Sequence, residues 1–189
     1  DLMLLAPKLP VPRKQIGFIC RRFNPDRIAA IKAQYGPSIF ITCGKSADLN
    51  NIQIDNWNGT IFATSGINIT ATGNANVVQL PVETLDTHNY LAASDIVIAK
   101  AGWGTISEAL LSKRNLVLIE REGVLEDTEN IEELKRRGVA VSIKETDLAR
   151  IDMHAITELI AENIIRENLD KYENAFEEVV RVLMPDKHA

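Results

Sequence analysis

The sequence predicts an α/β protein: a Rossmann-like, mainly parallel sheet with helices on both faces and a helical C-terminus. Three observations predict it. Short apolar, β-rich runs alternate with helical stretches, the order that builds parallel βαβ units. The run Ile96-Val97-Ile98 is apolar without alternation, as in a strand covered on both faces. The 189 residues are 46% hydrophobic and 25% charged, the balance of a globular domain large enough for one sizeable core.

The elements follow in order. The chain opens Asp1-Leu2-Met3-Leu4-Leu5-Ala6 without an initiator Met, then runs into Pro7, Pro10 and Pro12 interleaved with Lys8, Arg13 and Lys14. Residues 1–14 therefore read as an end strand and a stiff linker, and 15–189 as the domain of a chain cut from a longer protein. Strands are expected at Ile16–Cys20, Ser38–Cys43, Thr60–Ala63, Val77–Leu80, Asp95–Ala99, Leu116–Ile119 and Val139–Ile143. Asn24-Pro25 starts a helix carrying Ile28, Ile31 and Tyr35, which Gly36-Pro37 stops. Further helices are expected at Leu85–Ala93, Thr105–Ser112 and Glu126–Arg137, the last closed by Gly138. Beyond Thr146 the chain reads as helical to its end, with Leu169, Tyr172, Phe176, Val179 and Leu183 as one stripe of core packing.

Charge and cysteine content narrow the partners. A formal charge of −5 without a basic run argues against nucleic acid or an anionic membrane as the main partner. No stretch of sequence is long and apolar enough to span a bilayer. Cys20 and Cys43 lie in apolar runs without CxxC spacing, so buried thiols and a cytoplasmic location are expected, with no metal site. His88 reads as a surface helix residue, and His154 and His188 fall in or beyond the C-terminal helices. None of the three is a good candidate for a base.

Ligands of open α/β sheets sit beyond the carboxyl ends of the strands, which gives weight to three places. At the first, Gly44 permits close backbone approach and Lys45 and Ser46 could contact a phosphate, although P-loop spacing is absent. The second is Gly102-Trp103-Gly104-Thr105, where two glycines turn the backbone from a strand into a helix whose free N–H groups face an anion. At the third, Glu120-Arg121-Glu122-Gly123 leads to the acid-rich helix start around Asp127, which alone reads as solvated. A structural alternative exists for the second place: Thr105-Ile106-Ser107-Glu108 has the form of a capping box. A functional alternative is a dinucleotide fingerprint, Gly102-x-Gly104-x-x-Ser107 with Glu120 as the ribose acid of an NAD(P) site. Its third small residue is Ser, and several strands precede it.

The run from Ala93 to Leu110, ASDIVIAKAGWGTISEAL with its flanking Ala, resembles the nucleotide-sugar signature of GT-B glycosyltransferases of the family 28, peptidoglycan N-acetylglucosaminyltransferase type. That signature reads AD-strand-AG-x-x-T-x-x-E, then a strand, a polar helix start and a later Gly-Ala, represented here by Asn130 and Gly138-Val139-Ala140. Gly44-Lys45-Ser46 resembles a degenerate form of the family's first glycine loop, and the proline-rich start resembles its interdomain linker; the likeness runs from about Leu2 to Ile143. The resemblance implies that the chain is one half of a GT-B fold binding a UDP-sugar as donor substrate, without a cofactor or an essential metal. Glu108 would accept from the ribose hydroxyls, Gly104 and Thr105 with Gly102 and Trp103 would lie against the nucleotide, and the Pro81-Val82 main chain would meet uracil. Arg21 or Arg22 could reach the phosphates, and Asp127 and Asn130 would stand near the sugar.

The departures concern the sugar end. Asp127 stands where relatives place Gln, and Ile131 where they place Ala, which leaves open a different donor sugar, a different nucleotide or a lapsed site. The resemblance assigns the catalytic base and acceptor site to an N-terminal domain or partner subunit, the half through which any membrane contact would occur, so no catalytic residue is assigned. A non-catalytic nucleotide-sugar-binding subunit is the alternative outside enzymology. A sugar 2-epimerase of the same architecture would carry consecutive Glu residues where Ser107-Glu108-Ala109 stands.

Overall fold

The computed structural model describes residues 16–43 and 51–184, so the expected end strand, the linker and the Gly44-Lys45-Ser46 loop lie outside the described residues. Residues 16–20, expected as a strand, pair with no strand among the described residues: they form an irregular segment on which the Phe18 carbonyl accepts from the Ala175 N–H at 2.9 Å. Helix α1 (Pro25–Tyr35) begins where the Asn24 side chain accepts from the Arg27 N–H, and it ends at Gly36, whose φ of 65° suits glycine. The elements that follow are β1 (Ser38–Thr42), β2 (Ile52–Asp55), β3 (Thr60–Ala63), β4 (Ile69–Ala71), β5 (Asn76–Gln79), α2 (Thr87–Ala93), β6 (Ile96–Lys100), α3 (Trp103–Leu111), β7 (Asn115–Glu120), α4 (Leu125–Arg136) and β8 (Ala140–Lys144). A 3₁₀ turn (Glu145–Ala149) leads to β9 (Arg150–Asp152), α5 (Met153–Asn163), α6 (Arg166–Leu169) and α7 (Phe176–Leu183).

Six strands form one parallel sheet in the order β5-β3-β1-β6-β7-β8. Numbered within that sheet, this is the 3-2-1-4-5-6 order of a doubly wound fold, and its switch point falls between β1 and β6. Residue alternation explains why both faces are covered. Phe40, Phe62, Val97, Ala99, Leu116 and Leu118 point to a core shared with α1 to α4, while Ile39, Ile41, Ile61, Ile96, Ile98, Val117 and Ile119 point to the opposite core. Burying each such isoleucine contributes about 1.5–3 kcal/mol.

The second face departs in one respect from expectation. Helix α5 lies on it through Met153, Ile156 and Ile160, but a parallel three-stranded sheet, β4-β2-β9, shares the cover. The C-terminal stripe is also broken. The chain passes through β9 before α5, and non-helical residues separate α6 from α7. Leu169 is buried and Tyr172 packs on the first core, whereas Phe176 and Leu183 are 54% and 74% exposed. Core packing thus holds for the front of the stripe and fails for its end.

At the amino ends of the central strands, the Asp95 carboxylate accepts from the Ser38 N–H at 3.0 Å while the Asp95 N–H donates to the Ser38 carbonyl at 2.8 Å. This acid of the signature run sets the register of β1 against β6, away from the ligand edge.

Candidate functional site

The carboxyl ends of β1 and β6 lie side by side, with Thr42 paired to Ala99 in register. From β6 the chain turns in two residues, the Gly102 N–H donating to the Lys100 carbonyl at 2.7 Å, and enters α3 at once. Gly102 has φ −81° and ψ 132°, values open to any residue, and Gly104 is helical. The turn therefore does not need glycine conformations, contrary to expectation. A Cβ at either position would meet no atom of the described residues within 4 Å. Toward those residues both glycines present bare backbone.

Helix α3 starts at Trp103, so Thr105 is its third residue and the capping box does not form. The N-cap Gly102 supplies no side-chain acceptor, which leaves the amides of Trp103, Gly104 and Thr105 for a ligand or water. Trp103 stacks on Phe18 with ring centroids 5.4 Å apart, and Phe18 stacks likewise on Tyr172. These residues border a cleft of about 950 Å³ between residues 16–19, Trp103-Gly104 and the start of α7.

Glu108 meets Arg21 instead of a cap. The Arg21 Nε–H donates to Glu108 Oε1 at 2.9 Å, with Nη2 also 2.9 Å from that oxygen. Nη1 donates to the Leu85 carbonyl and Nη2 to Thr87 Oγ1, so the exposed loop bearing Val82 is tethered to Glu108 through one guanidinium. The structure thereby brings together Gly102, Trp103, Gly104, Thr105, Glu108 and the Val82 loop.

At the third place Glu122 and Glu126 are exposed, as expected of a solvated helix start, and Asp127 is the exception. Asp127 is buried, and its carboxylate accepts from Arg121 Nε at 2.6 Å. One turn on, Asn130 is buried and its Nδ2 finds no partner among the described residues. Arg121 and Lys100 also act on Cys43: burial pushes that thiol up to about 11, while the two cations pull it down. Cys43, Lys100 and Arg121 thus share the carboxyl edge of β1, β6 and β7. Sequence reasoning gave Arg121 a place at the third strand end but no partner, and gave Lys100, the last residue of β6, no role. Glu120, the acid a dinucleotide site would require, accepts from Ser142 Oγ and lies 3.5 Å from Lys135. His88 is buried rather than on the surface, its Nε2–H directed at the Arg22 carbonyl. Among the described residues, no three His, Cys, Asp or Glu side chains converge to hold a metal ion.

Comparisons with known proteins bear on the fold and the family. The architecture is similar to that of MurG from Acinetobacter baumannii, with a TM-score of 0.55 at 16% identity over 95% of this chain and 58% of that one. It is similar to the glycosyltransferase SnogD from Streptomyces nogalater, at TM-score 0.51, 16% identity and coverage of 78% and 43%. It is similar also to the glycosyltransferase VinC, solved in complex with DTDP, at TM-score 0.50, 14% identity and coverage of 81% and 42%. The chain spans about half the length of these enzymes. Among curated proteins no match is found. The family described as the glycosyltransferase family 28 C-terminal domain matches residues 27–182, from α1 to the end of α7, and the chain belongs to that family.

Proposed function

We propose that this chain is the donor-binding half of a glycosyltransferase, and that the complete protein transfers a hexosyl group from a UDP-sugar to an acceptor hydroxyl. One observation carries the reading: at the switch point of a doubly wound sheet, two glycines that the backbone does not need expose an uncapped helix start beside Glu108. In the reaction the acceptor oxygen bonds to the anomeric carbon as the bond from that carbon to the diphosphate breaks, and the leaving diphosphate takes the electron pair. The amides of Trp103, Gly104 and Thr105, the α3 dipole and Lys100 would stabilise that charge. Glu108 would accept from ribose and the Val82 main chain would meet the base. Asn130 Nδ2 is a donor in need of a partner at the sugar end. Asp127 is compatible with a diphosphate because Arg121 balances its charge.

The base and the acceptor site are assigned to the other half of the protein, as a domain or a subunit. Exposed Phe176, Val182 and Leu183 of α7 offer an apolar face for it. A cytoplasmic location is part of the same proposal, and free thiols at Cys20 and Cys43 suit a reducing compartment. The test is calorimetric titration of this chain with UDP. UDP should bind, NAD should not, and Glu108→Gln should weaken UDP about tenfold or more, the worth of a hydrogen bond to a charged group. Equal affinity of the variant, or no UDP binding, would overturn the reading.

A further inference from the structure

The Arg21–Glu108 contact carries an inference about which nucleotides fit, and it rests on the assignment of Glu108 to ribose. Arg21 is exposed, but its backbone is pinned on both sides. The Arg22 carbonyl faces buried His88 Nε2 at 3.1 Å, the Asn24 N–H donates to Asn89 Oδ1 at 2.9 Å, and the Phe18 carbonyl accepts from Ala175. Its guanidinium bridges three groups at once: the Leu85 carbonyl, Thr87 Oγ1 and Glu108. Both nitrogens nearest the carboxylate converge on the same atom, Oε1. A carboxylate grips a vicinal diol by giving one oxygen to each hydroxyl. With Oε1 committed to Arg21, Oε2 remains.

We propose that Arg21 is a specificity-determining residue: by holding Oε1 of Glu108 it leaves one carboxylate oxygen to read one ribose hydroxyl, so the site accepts 2′-deoxyribonucleoside diphosphates alongside ribonucleoside diphosphates. The hydroxyl that Oε2 reads is the 3′ one, so removing the 2′-hydroxyl leaves neither carboxylate oxygen unpaired, the circumstance that otherwise produces strong discrimination against a missing hydroxyl.

The experiment titrates this chain with UDP and with 2′-deoxy-UDP. The wild-type protein should bind the two within about threefold of each other, whereas Arg21→Met, which releases Oε1 to the diol, should prefer UDP by about tenfold or more. Arg21→Lys, which keeps a cation at Oε1, should retain the wild-type ratio and serves if Arg21→Met does not fold. A wild-type preference for UDP of about tenfold or more would overturn the inference, because it would mean that Arg21 yields Glu108 to the nucleotide. An unchanged ratio in Arg21→Met would overturn it too. In both outcomes UDP binds and the assignment of function stands. Binding of neither nucleotide would remove that assignment, and this inference with it.

Discussion

Two carboxylates near the carboxyl edge of the sheet are each held by an arginine, and they differ in what surrounds them. The Asp127 side chain is 6% exposed and that of Arg121 22%, so this pair is buried with α4 packed around the acid. The Glu108 side chain is 13% exposed, but Arg21 is 50% exposed and solvent reaches the pair from one side. An ion pair taken out of water is costly to break, because one charge is left without solvent. One that water screens is worth little to stability, and Glu108 keeps Oε2 for a ligand. The difference separates a carboxylate that builds the site from one that can report a ligand in it.

The comparison is broken or sharpened by substitution on each side. The largest expected effect is on the buried side: Arg121→Met should cost about 3 kcal/mol in chemical denaturation, and the double variant with Asp127→Asn should recover much of it. A cost of about 1 kcal/mol or less would put Asp127 in solvent contact and erase the distinction. On the open side, Glu108→Gln should change stability by no more than about 1 kcal/mol while it weakens UDP.

Gly104→Ala sharpens the contrast between folding and binding at a single residue. Glycine inside a helix costs about 0.5–1 kcal/mol relative to alanine, and the new Cβ meets no protein atom, so the variant should melt higher. Its UDP affinity should fall if bare backbone is there for a ligand. Unchanged affinity would separate Gly104 from the nucleotide.

The smallest effect concerns pH and a region remote from the site. Hydrogen bonds from Gln53, Arg150 and Thr72 hold Asp55 at about 2 rather than the ordinary 3.8, and Arg136 and Arg137 hold Glu133 at about 2. A depressed carboxylate stabilises the fold above its unfolded value and loses that contribution as pH falls through its folded value. Stability should therefore drop between about pH 4 and pH 2, and Asp55→Asn should shallow the drop in thermal melts recorded across that window.

What the sequence made legible follows from physical scale. The main-sheet strands were readable because each carries several apolar residues in a row, as in Ile96–Ile98 and Leu116–Ile119. β2, β4 and β9 escaped notice because they are three or four residues long and mix Ile52, Ile54, Ile69 and Ile151 with Gln53, Thr70, Arg150 and Asp152. The run at Ile16–Cys20 has a strand's composition but pairs with no edge among the described residues, and composition alone does not supply one. At the site, the glycine turn and Glu108 were legible from local spacing. The capping box was not decidable, since the helix begins two residues earlier than Thr105. The partner Arg21 depends on a contact that only folding makes, since it stands 87 positions from Glu108. Arg121 stands six positions from Asp127, so that pair is local and only its burial escaped the sequence. The burial of His88 is tertiary, set by the segment that carries Arg22.

The account's central claim is that the Gly102 turn and the first turns of α3 form a nucleotide diphosphate site. It is tested most directly by amide NMR spectra of the isotopically labelled chain recorded as UDP is added. Saturable shifts concentrated at Trp103, Gly104, Thr105 and Glu108 are the result the account predicts. Binding of UDP with those four amides unmoved would contradict it.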